Sequence, residues 1–425
     1  MLKSHKYWLG LFWLVAIFVL PLPLVMTLAQ GLDGTINQFA LFGSQIGIIA
    51  YVWMLFAIVV AEKPKWLDRL IGLPEMYFAH GILGLGAILL AIWHKILLQA
   101  VGLVKITGLL SVVIFIAVAC YSIFFMSAWL TGRSLILRRF KARLEKIFRY
   151  ETSLWIHRLN VVATLLVFAH VVLIDFIRAI GPFMFWFYLY SAFTAITYLY
   201  MHGLKPHFSK KGMLISRQKL ADGVTELTVK MKRRWRFRPG DYVFMAFPDI
   251  KGMDDMHPFS ILHYDRRAHL LTFAIRNWGD FTAKIDAVPI KSRIKIDGSY
   301  GRLFEAVNEK KAKDLIFIGS GVGSVPLISL TTALLNKRKI TFIRIASQRQ
   351  DLIYEDFLQQ LAVDYPNFTY RSQIGRLSQE QVEHLAKTDA FYLVGGSSQM
   401  MKGTMGMLLK VGIKRQQMYG EKFSF

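Results

Sequence analysis

The stretch Pro74–Ala100 reads PEMYFAHGILGLGAILLAIWHKILLQA. It exceeds the ~20 mainly apolar residues a helix needs to span a bilayer. It also carries two histidines, His80 and His94, inside the apolar run. Ionisable side chains are costly in such a segment, and by default they mark function. A spacing of 14 residues sets the two imidazoles ~21 Å apart along a helix and about 40° apart around it.

Five further runs of this kind lie in the first half: Tyr7–Leu28, Phe39–Ala61, Thr107–Leu130, Thr152–Ile177 and Pro182–Met201. The first follows Lys3 and Lys6, as a signal peptide would, but it outruns the usual signal core of about 7–15 residues and reads better as an uncleaved helix. Residues 1–204 are thus expected to form an all-α membrane bundle of six helices. Basic residues in short loops set the orientation. Arg133–Arg149 holds Arg133, Arg138, Arg139, Lys141, Arg143, Lys146 and Arg149 against Glu145 alone, and the loop after the second run holds Lys63, Lys65 and Arg69. Loops 29–38 and 101–106 hold only Asp33 and Lys105. The N-terminus and everything after the sixth helix are therefore predicted on the cytoplasmic side of a cell membrane.

The fifth run repeats the histidine pattern with His157 and His170. Both histidine helices run from inside to outside, so His80 lies at the depth of His157 and His94 at the depth of His170. Imidazole is a good iron ligand, and two per iron fill both axial positions. The four histidines thus predict two stacked haems. One geometric point opposes this: 13 residues turn an ideal helix so that its two imidazoles lie about 140° apart. Either the fifth helix is distorted or the two haems sit on different flanks. Arg178, just past this helix, reads as an interfacial anchor or as an attractor of anions.

Composition agrees with a chain half in lipid. Of 425 residues 54% are apolar, and the mean hydropathy is +0.38. Residues 1–202 hold 16 basic against 7 acidic side chains, leaving +9, and residues 203–425 hold 36 against 21, leaving +15. No zinc-finger spacing, helix-turn-helix or RNA-binding strand motif accompanies the charge, so nucleic acid is not the expected partner. Basic surfaces beside anionic lipid head groups, and a basic rim for an anionic dinucleotide, account for it. The single cysteine, Cys120, allows no disulfide within the chain and no CxxCH attachment, so any haem is held non-covalently.

After Met201 the texture changes. Short alternating segments, such as Val224–Met231, Asp241–Phe247, Leu270–Arg276 and Arg293–Asp297, predict a small antiparallel barrel over residues 205–308. Residues 309–425 then alternate strands (Asp314–Ile318, Ile340–Ala346, Phe368–Ile374, Ala390–Val394) with helical runs at 325–337, 354–364, 378–387 and 398–411. That is an open parallel sheet of the dinucleotide-binding type. Its first strand ends in Gly319-Ser320-Gly321-Val322-Gly323-Ser324-Val325-Pro326. Glycines there let backbone approach a pyrophosphate, with free helix N–H groups behind it. The spacing GxGxG departs from the strict GxGxxG, and a structural tight turn is the competing reading. Ser347 and Arg349 close the second strand and suit a 2′-phosphate, which favours NADPH over NADH.

Taken together these motifs resemble the ferric reductase and NADPH oxidase superfamily, most closely its bacterial NADPH oxidase-like members. The resemblance runs from the second helix to the last residue. It implies a ferredoxin-reductase-like module, an FAD-binding antiparallel barrel plus a Rossmann-like NAD(P) domain, behind a haem-bearing bundle. It implies His80 with His157 as ligands of an inner b-type haem and His94 with His170 of an outer one. His257-Pro258-Phe259-Ser260 is similar to the family's flavin motif, with Ser260 orienting the flavin ring. Arg276, Gly279 and Thr282 match the flavin-phosphate strand and turn that follow. Gly298-Ser299-Tyr300-Gly301 is similar to a GPYG turn, which implies cofactor contacts from Gly298, Tyr300 and Gly301. Gly319, Gly321, Gly323 and Pro326 match the nicotinamide-phosphate loop. Gly395 and Gly396 stand where the family often has a Cys-Gly-Pro turn, with Gly395 in place of a cysteine near the hydride path. Phe425 matches the terminal aromatic that stacks on the flavin.

The resemblance implies electron flow from NADPH through FAD and two haems to oxygen at the outer face, releasing superoxide. A ferric or cupric chelate is the alternative acceptor on the same path. The sequence has no EF-hand loop and no proline-rich adaptor segment, which predicts activity without an obligate regulatory subunit.

Overall fold

The computed structural model describes residues 5–125, 141, 150–204, 209–310, 312 and 314–421. They fall into two compact units, one of helices (Leu9–Lys63 and Met76–Leu204) and one holding the C-terminal half together with the N-terminal residues up to Trp8 and the Pro64–Glu75 segment.

In the helical unit, α1 (His5–Leu14) passes through a π turn at Val15–Val19 and continues as α2 (Leu22–Leu32). There follow α3 (Gln38–Ala61), α5 (Leu73–Leu97), α6 (Gly102–Phe125), α7 (Tyr150–Val172), the short α8 (Asp175–Arg178) and α9 (Gly181–Leu199); α4 (Lys65–Ile71) belongs to the other unit. Asn37 caps α3 by accepting from Ala40 N at 2.8 Å, and Pro182 opens the first turn of α9, where its missing N–H costs nothing.

Among the described residues, five stretches are long and apolar enough to cross a membrane: Tyr7–Leu32, Gln38–Ala61, Leu73–Leu97, Gly102–Phe125 and Thr152–Val172. The expected sixth, α9, is a 19-residue helix that falls outside that class. Its Trp186, Tyr188, Tyr190 and Tyr198 carry polar tips that dilute its apolarity. Two expected boundaries shift. The fourth helix begins at Gly102, so Lys105 stands in its first turn rather than in a loop, and the fifth ends at Val172 before the separate turn α8. The basic segment Arg133–Arg149 lies outside the described residues except for Lys141.

Packing in this unit is inverted relative to a water-soluble bundle. Leu24, Leu28, Ile48, Tyr51, Leu55, Phe183 and Phe187 pack inside, while Phe18, Leu89, Ile96, Leu165 and Ile196 stand more than 60% exposed. Apolar surface on that scale is tolerable in hydrocarbon and costly in water.

The C-terminal half holds two sheets. β1 (Lys210–Ala221), β2 (Val224–Met231), β3 (Tyr242–Ala246), β4 (His257–Ser260), β5 (His263–Asp265), β6 (Leu270–Arg276) and β7 (Arg293–Tyr300) form an antiparallel sheet in the order β4-β3-β7-β1-β2-β6-β5. Alternating residues of its strands, among them Leu227, Val229, Val243, Met245, Leu271, Phe273, Ile294 and Ile296, fill one core. The short α10 (Asp280–Ala283) follows β6, and α11 (Leu303–Glu309) follows β7.

The second sheet is parallel, in the order β10-β9-β8-β11-β12, from β8 (Asp314–Ser320), β9 (Lys339–Ala346), β10 (Phe368–Ile374), β11 (Phe391–Gly395) and β12 (Met418–Tyr419). Helices α12 (Val325–Leu334), α13 (Glu355–Asp364), α14 (Gln379–Leu385) and α15 (Ser398–Lys410) connect its strands. The chain goes from β8 outward to β9 and β10, then returns to the other side of β8 for β11. That reversal is the switch point at which open α/β sheets hold ligands, beyond the carboxyl ends of the strands.

Helix α4 was not expected from sequence. This two-turn helix, expected as a plain loop of the membrane half, packs on the barrel. Asp68 and Arg69 flank its contact. Arg69 gives two bonds to Asp241, at 2.7 and 2.9 Å, and one to Gly301 O at 2.6 Å. Asp68 accepts from Gly301 N at 2.9 Å, and Lys65 donates to Gly298 O at 2.9 Å.

Candidate functional site

The helical unit brings the four histidines together in two pairs. The rings of His80 on α5 and His157 on α7 have centres 5.7 Å apart, and those of His94 and His170 are 6.2 Å apart. All four Nδ1 atoms are engaged. His80 donates to Ala57 O at 2.9 Å and His94 to Gly43 O at 2.9 Å, both on α3. His170 donates to Val104 O at 2.8 Å on α6. His157 shares a hydrogen bond of 3.0 Å with Ser122 Oγ, also on α6.

A carbonyl can only accept, so three of the rings carry their proton on Nδ1 and present the bare Nε2. Such anchoring is how proteins orient imidazole toward a metal. The anchors on α6, Val104 and Ser122, lie 18 residues apart, which is five full helical turns. One stripe of α6 therefore reaches both histidines of α7, which is how the 13-residue spacing still yields two pairs.

Two glycines complete the arrangement. A Cβ at Gly47 would lie 2.5 Å from His94 Nδ1, and one at Gly108 would lie 3.0 Å from His170 Nδ1. Each glycine stands four residues beyond the carbonyl its histidine uses, Gly43 or Val104, so the missing side chain lets the ring settle onto the helix backbone. Neither glycine was singled out from sequence, nor was Ser122. Glycines in an apolar helix were the available signal for the first two.

Imidazole nitrogens stand about 2.0–2.1 Å from a first-row ion such as zinc, with the ring centre about 1.2 Å behind, so two rings on opposite sides of one ion have centres about 6.5 Å apart. The two pairs come close to that. Among the described residues no group of three or more His, Cys, Asp or Glu could hold a metal ion. Two imidazoles alone suit an iron whose remaining ligands come from a macrocycle.

In the barrel, His257–Ser260 form the edge strand β4, paired with β3 through Tyr242↔Ser260 and Phe244↔Pro258. An edge position tolerates Pro258, which has no N–H to give. Phe281 packs beside both His257, at 4.3 Å between ring centres, and Phe259, at 5.8 Å. Burial holds His257 below its ordinary pKa, against the opposing pull of Asp255, which favours a neutral ring. Arg276 ends β6, and Gly279 precedes α10. Thr282 Oγ1 accepts from Trp278 N at 2.8 Å, closing that turn.

The turn Gly298–Gly301 has a different setting from the one expected. Tyr300 is buried, donates to Asp297 at 2.8 Å and stacks on Tyr242. The carbonyls of Gly298 and Gly301 and the N–H of Gly301 are taken by α4. In this structure the turn receives a helix from the other half of the sequence.

The glycine-rich segment lies at the switch point. Gly321 has φ +54°, a conformation that favours glycine. Ser324 Oγ donates to Gly321 O at 2.5 Å, and Pro326 opens α12. The loops after β8 and β11 touch backbone to backbone. A Cβ at Gly323 would lie 2.5 Å from Gly396 Cα, and one at Gly395 would lie 2.4 Å from Gly323 O. The glycine at 395 is therefore a packing requirement of this chain, and a cysteine there would push the two loops apart. Gly319 is as tightly held, with Ser324 Cβ 2.7 Å from where its own Cβ would be.

Ser347 and Arg349 are exposed just beyond β9. The same loop crosses to the barrel twice, which sequence did not reveal. Asp351 pairs with Arg276 at 2.6 Å, and Tyr354 OH donates to Glu226. Register pairs Glu226 with Ala274 and Val224 with Arg276, so both barrel partners lie on one face. A Cβ on Gly321 would come within 3.9 Å of Arg276 Nη1, which sets this guanidinium beside the glycine-rich loop. Phe425 lies outside the described residues. Arg178 pairs with its neighbour Asp175 at 2.6 Å.

Comparison with known proteins agrees with the barrel. Residues 211–319 match a family described as an FAD-binding domain. The chain is 29% identical over 166 residues to the reductase component of phenol 2-monooxygenase from Pseudomonas sp. (strain CF600), covering 38% of this chain and 46% of that protein. It is 28% identical over 145 residues to the electron transfer subunit of an NAD-dependent dihydroorotate dehydrogenase B from Fusobacterium nucleatum, covering 32% and 56%. The chain thus spans about half the length of these relatives. Among solved structures, a flavohemoglobin from Malassezia yamatoensis aligns with TM-score 0.49 and 13% identity over 94% of this chain and 99% of that one. The C-terminal half carries an FAD-binding domain followed by a parallel α/β domain of the dinucleotide type.

Proposed function

We propose that this protein is a transmembrane NADPH oxidase, taking electrons from NADPH through FAD and two b-type haems to molecular oxygen, with superoxide as product. The observation that carries the reading is the pair of imidazole pairs in apolar helices, each ring fixed through Nδ1 and three of them presenting a bare Nε2. The flavin and nicotinamide end rests on the FAD-binding domain match and on the glycine loop at the switch point. Nothing in the reading requires a partner subunit.

The docking of α4 supports the membrane topology. Lys65 and Arg69, which sequence assigns to the cytoplasmic side, bind the same barrel that follows the last helix. The loop and the C-terminal half therefore share a side, and an even number of crossings separates them. Three apolar helices, α5, α6 and α7, lie between. An even count favours taking α9 as a fourth crossing. In this reading six crossings leave the flavin half in the cytoplasm of a bacterial cell.

When bound, FAD and haem supply the change from two-electron to one-electron chemistry and the relay across the bilayer. This chain's own residues then hold and orient them. His80 with His157, and His94 with His170, would each hold one haem iron between two imidazoles. Phe259 and Ser260 on the β4 edge would face the flavin, Arg276 its phosphates, and Gly319–Ser324 the nicotinamide dinucleotide. Ser347 and Arg349 would read the 2′-phosphate of NADPH.

The test is NADPH-driven cytochrome c reduction by the haem-loaded, detergent-purified chain with added FAD. Sensitivity to superoxide dismutase is the expected result. Turnover only with ferric or cupric chelate under nitrogen would make it a metal reductase, and absence of a haem spectrum would overturn the proposal.

A further inference from the structure

The loop between β2 and β3 reads Lys232-Arg-Arg-Trp-Arg-Phe-Arg238. Lys232, Arg233, Arg234 and Arg236 are exposed, and among the described residues none of them forms an ion pair; Arg238 instead pairs with Glu305. The two aromatics between them are turned inward and held. Tyr264 OH donates to Trp235 O at 3.0 Å, and Phe237 lies 4.9 Å from the Tyr264 ring. The pinned aromatics fix a set of free cations on one rigid outer loop. An ordinary solvated surface would intersperse such charges with acids.

What the loop is pinned to gives its address. Lys210 Nζ lies over the Trp235 ring at 2.8 Å, and Lys65 Nζ lies over it at 5.8 Å. Lys65 follows the last residue of α3, Ala61, by four positions, and Lys210 follows the final helical turn at Leu204 by six. Fully extended, those links reach only about 14 Å and about 21 Å. Trp235 is thus bracketed by two lysines that the chain itself ties to the end of the apolar α3 and to the helical turn after α9. Basic clusters of four to eight residues immediately cytoplasmic of a spanning helix bind anionic head groups.

We propose that the Lys232–Arg236 loop docks on the anionic lipid head groups of the membrane that holds the helices, and so fixes the flavin barrel against that surface. The phosphodiester oxygens of the lipids accept from Lys232, Arg233, Arg234 and Arg236 while Trp235 stays packed. The proposal rests on the apolar helices crossing a bilayer and is independent of haem, flavin or acceptor.

The experiment is hydrogen–deuterium exchange on the full-length protein in nanodiscs, comparing neutral phosphatidylcholine with discs that also contain phosphatidylglycerol. The expected result is several-fold slower exchange in peptides covering Lys232–Arg238 in anionic discs only. High salt should reverse it, because screening shortens the reach of these charges. The basic run Lys337–Lys339 of the other sheet serves as the control and is expected not to change. A triple variant, Arg233→Gln, Arg234→Gln and Arg236→Gln, should lose the lipid dependence; the salt reversal in the unmodified protein carries the same test should that variant not fold. Equal exchange in both discs, or equal protection of Lys337–Lys339, overturns the proposal. Protection by inorganic phosphate or ADP in neutral discs overturns it too, making the loop a site for a soluble anion. Failure to enter nanodiscs at all would instead sink the membrane reading beneath it.

Discussion

His94 and His170 face each other with ring centres 6.2 Å apart, and each gives its Nδ1 hydrogen to a helix carbonyl four residues before a glycine. The His80–His157 pair lacks that symmetry: one ring bonds a carbonyl and the other a serine hydroxyl. The two pairs are built differently, and the difference separates them experimentally.

Replacing Gly47 or Gly108 with alanine forces a Cβ against the imidazole of His94 or His170. Each substitution is expected to halve the haem content, measured as pyridine haemochromogen per protein, and to leave the spectrum of the His80–His157 site. Gly81→Ala, on α5 with nothing within 4 Å of the added carbon, should retain both haems. Equal loss in all three would remove the special role of the two glycines.

Arg276 is held by Asp351, yet sequence assigns it to the flavin phosphates. Asp351→Asn frees the guanidinium and should tighten FAD binding, whereas Arg276→Ala should weaken it by about ten- to a hundredfold, the range for one lost charge-assisted hydrogen bond. Fluorescence titration with FAD reads both. Weaker binding in Asp351→Asn would mean that the carboxylate positions the arginine rather than competing for it.

Gly395→Cys supplies the residue that the resembled family often has at this turn, but sets a Cβ 2.4 Å from Gly323 O. The expected outcome is a raised KM for NADPH with little gain in kcat, because the two loops must part. Steady-state kinetics at saturating FAD decide it; a higher kcat at unchanged KM would contradict the packing argument.

Arg69 offers both terminal nitrogens to the buried Asp241. Arg69→Ala leaves that carboxylate uncompensated and should cost about 3–5 kcal/mol in the C-terminal half. Thermal unfolding followed by flavin release should show the loss, and Arg69→Lys should recover only part of it, because lysine cannot make the paired contact.

Asp68, Asp241 and Glu421 are three buried carboxyls gathered around Arg69 and Arg302. Burial, with Asp68 and Asp241 adding to it, pushes Glu421 up to about 8, against the opposing bond from Arg302 N–H. A raised carboxyl pKa means the folded protein keeps a proton that the unfolded chain releases above its ordinary value of 4.5. This group's contribution to stability is therefore greatest at low pH, falls as pH rises from that value to about 8, and is flat beyond. The difference in Tm between the unmodified protein and Glu421→Gln, followed from pH 5 to 9, should grow across that window and then level.

Much of this organisation is legible in the sequence because it is written in local periodicity. Apolar runs of spanning length, alternating strands, and a strand–glycine–helix turn each declare themselves within a few dozen residues. The two sheets and five of the six expected helices appear as such. The sixth, read from sequence as another apolar run, appears as a helix but outside the class long and apolar enough to span, since its tyrosines and Trp186 fit a boundary as well as an interior.

The residues that the proposed chemistry needs, namely four histidines, the β4 edge and the glycine loop, were picked out from sequence alone, because each would have to be of one chemical kind. Their mates were decided by the tertiary structure. Ser122, Gly47 and Gly108 matter only because helices α3 and α6 pass beside the histidines. Asp351 and Glu421 matter because remote strands bring them to Arg276 and Arg302. The docking of α4 on the Gly298–Gly301 turn joins residues more than 200 positions apart. Nothing in a local pattern encodes such a contact, because its energy comes from burying charges and backbone groups that find partners only once the chain has folded.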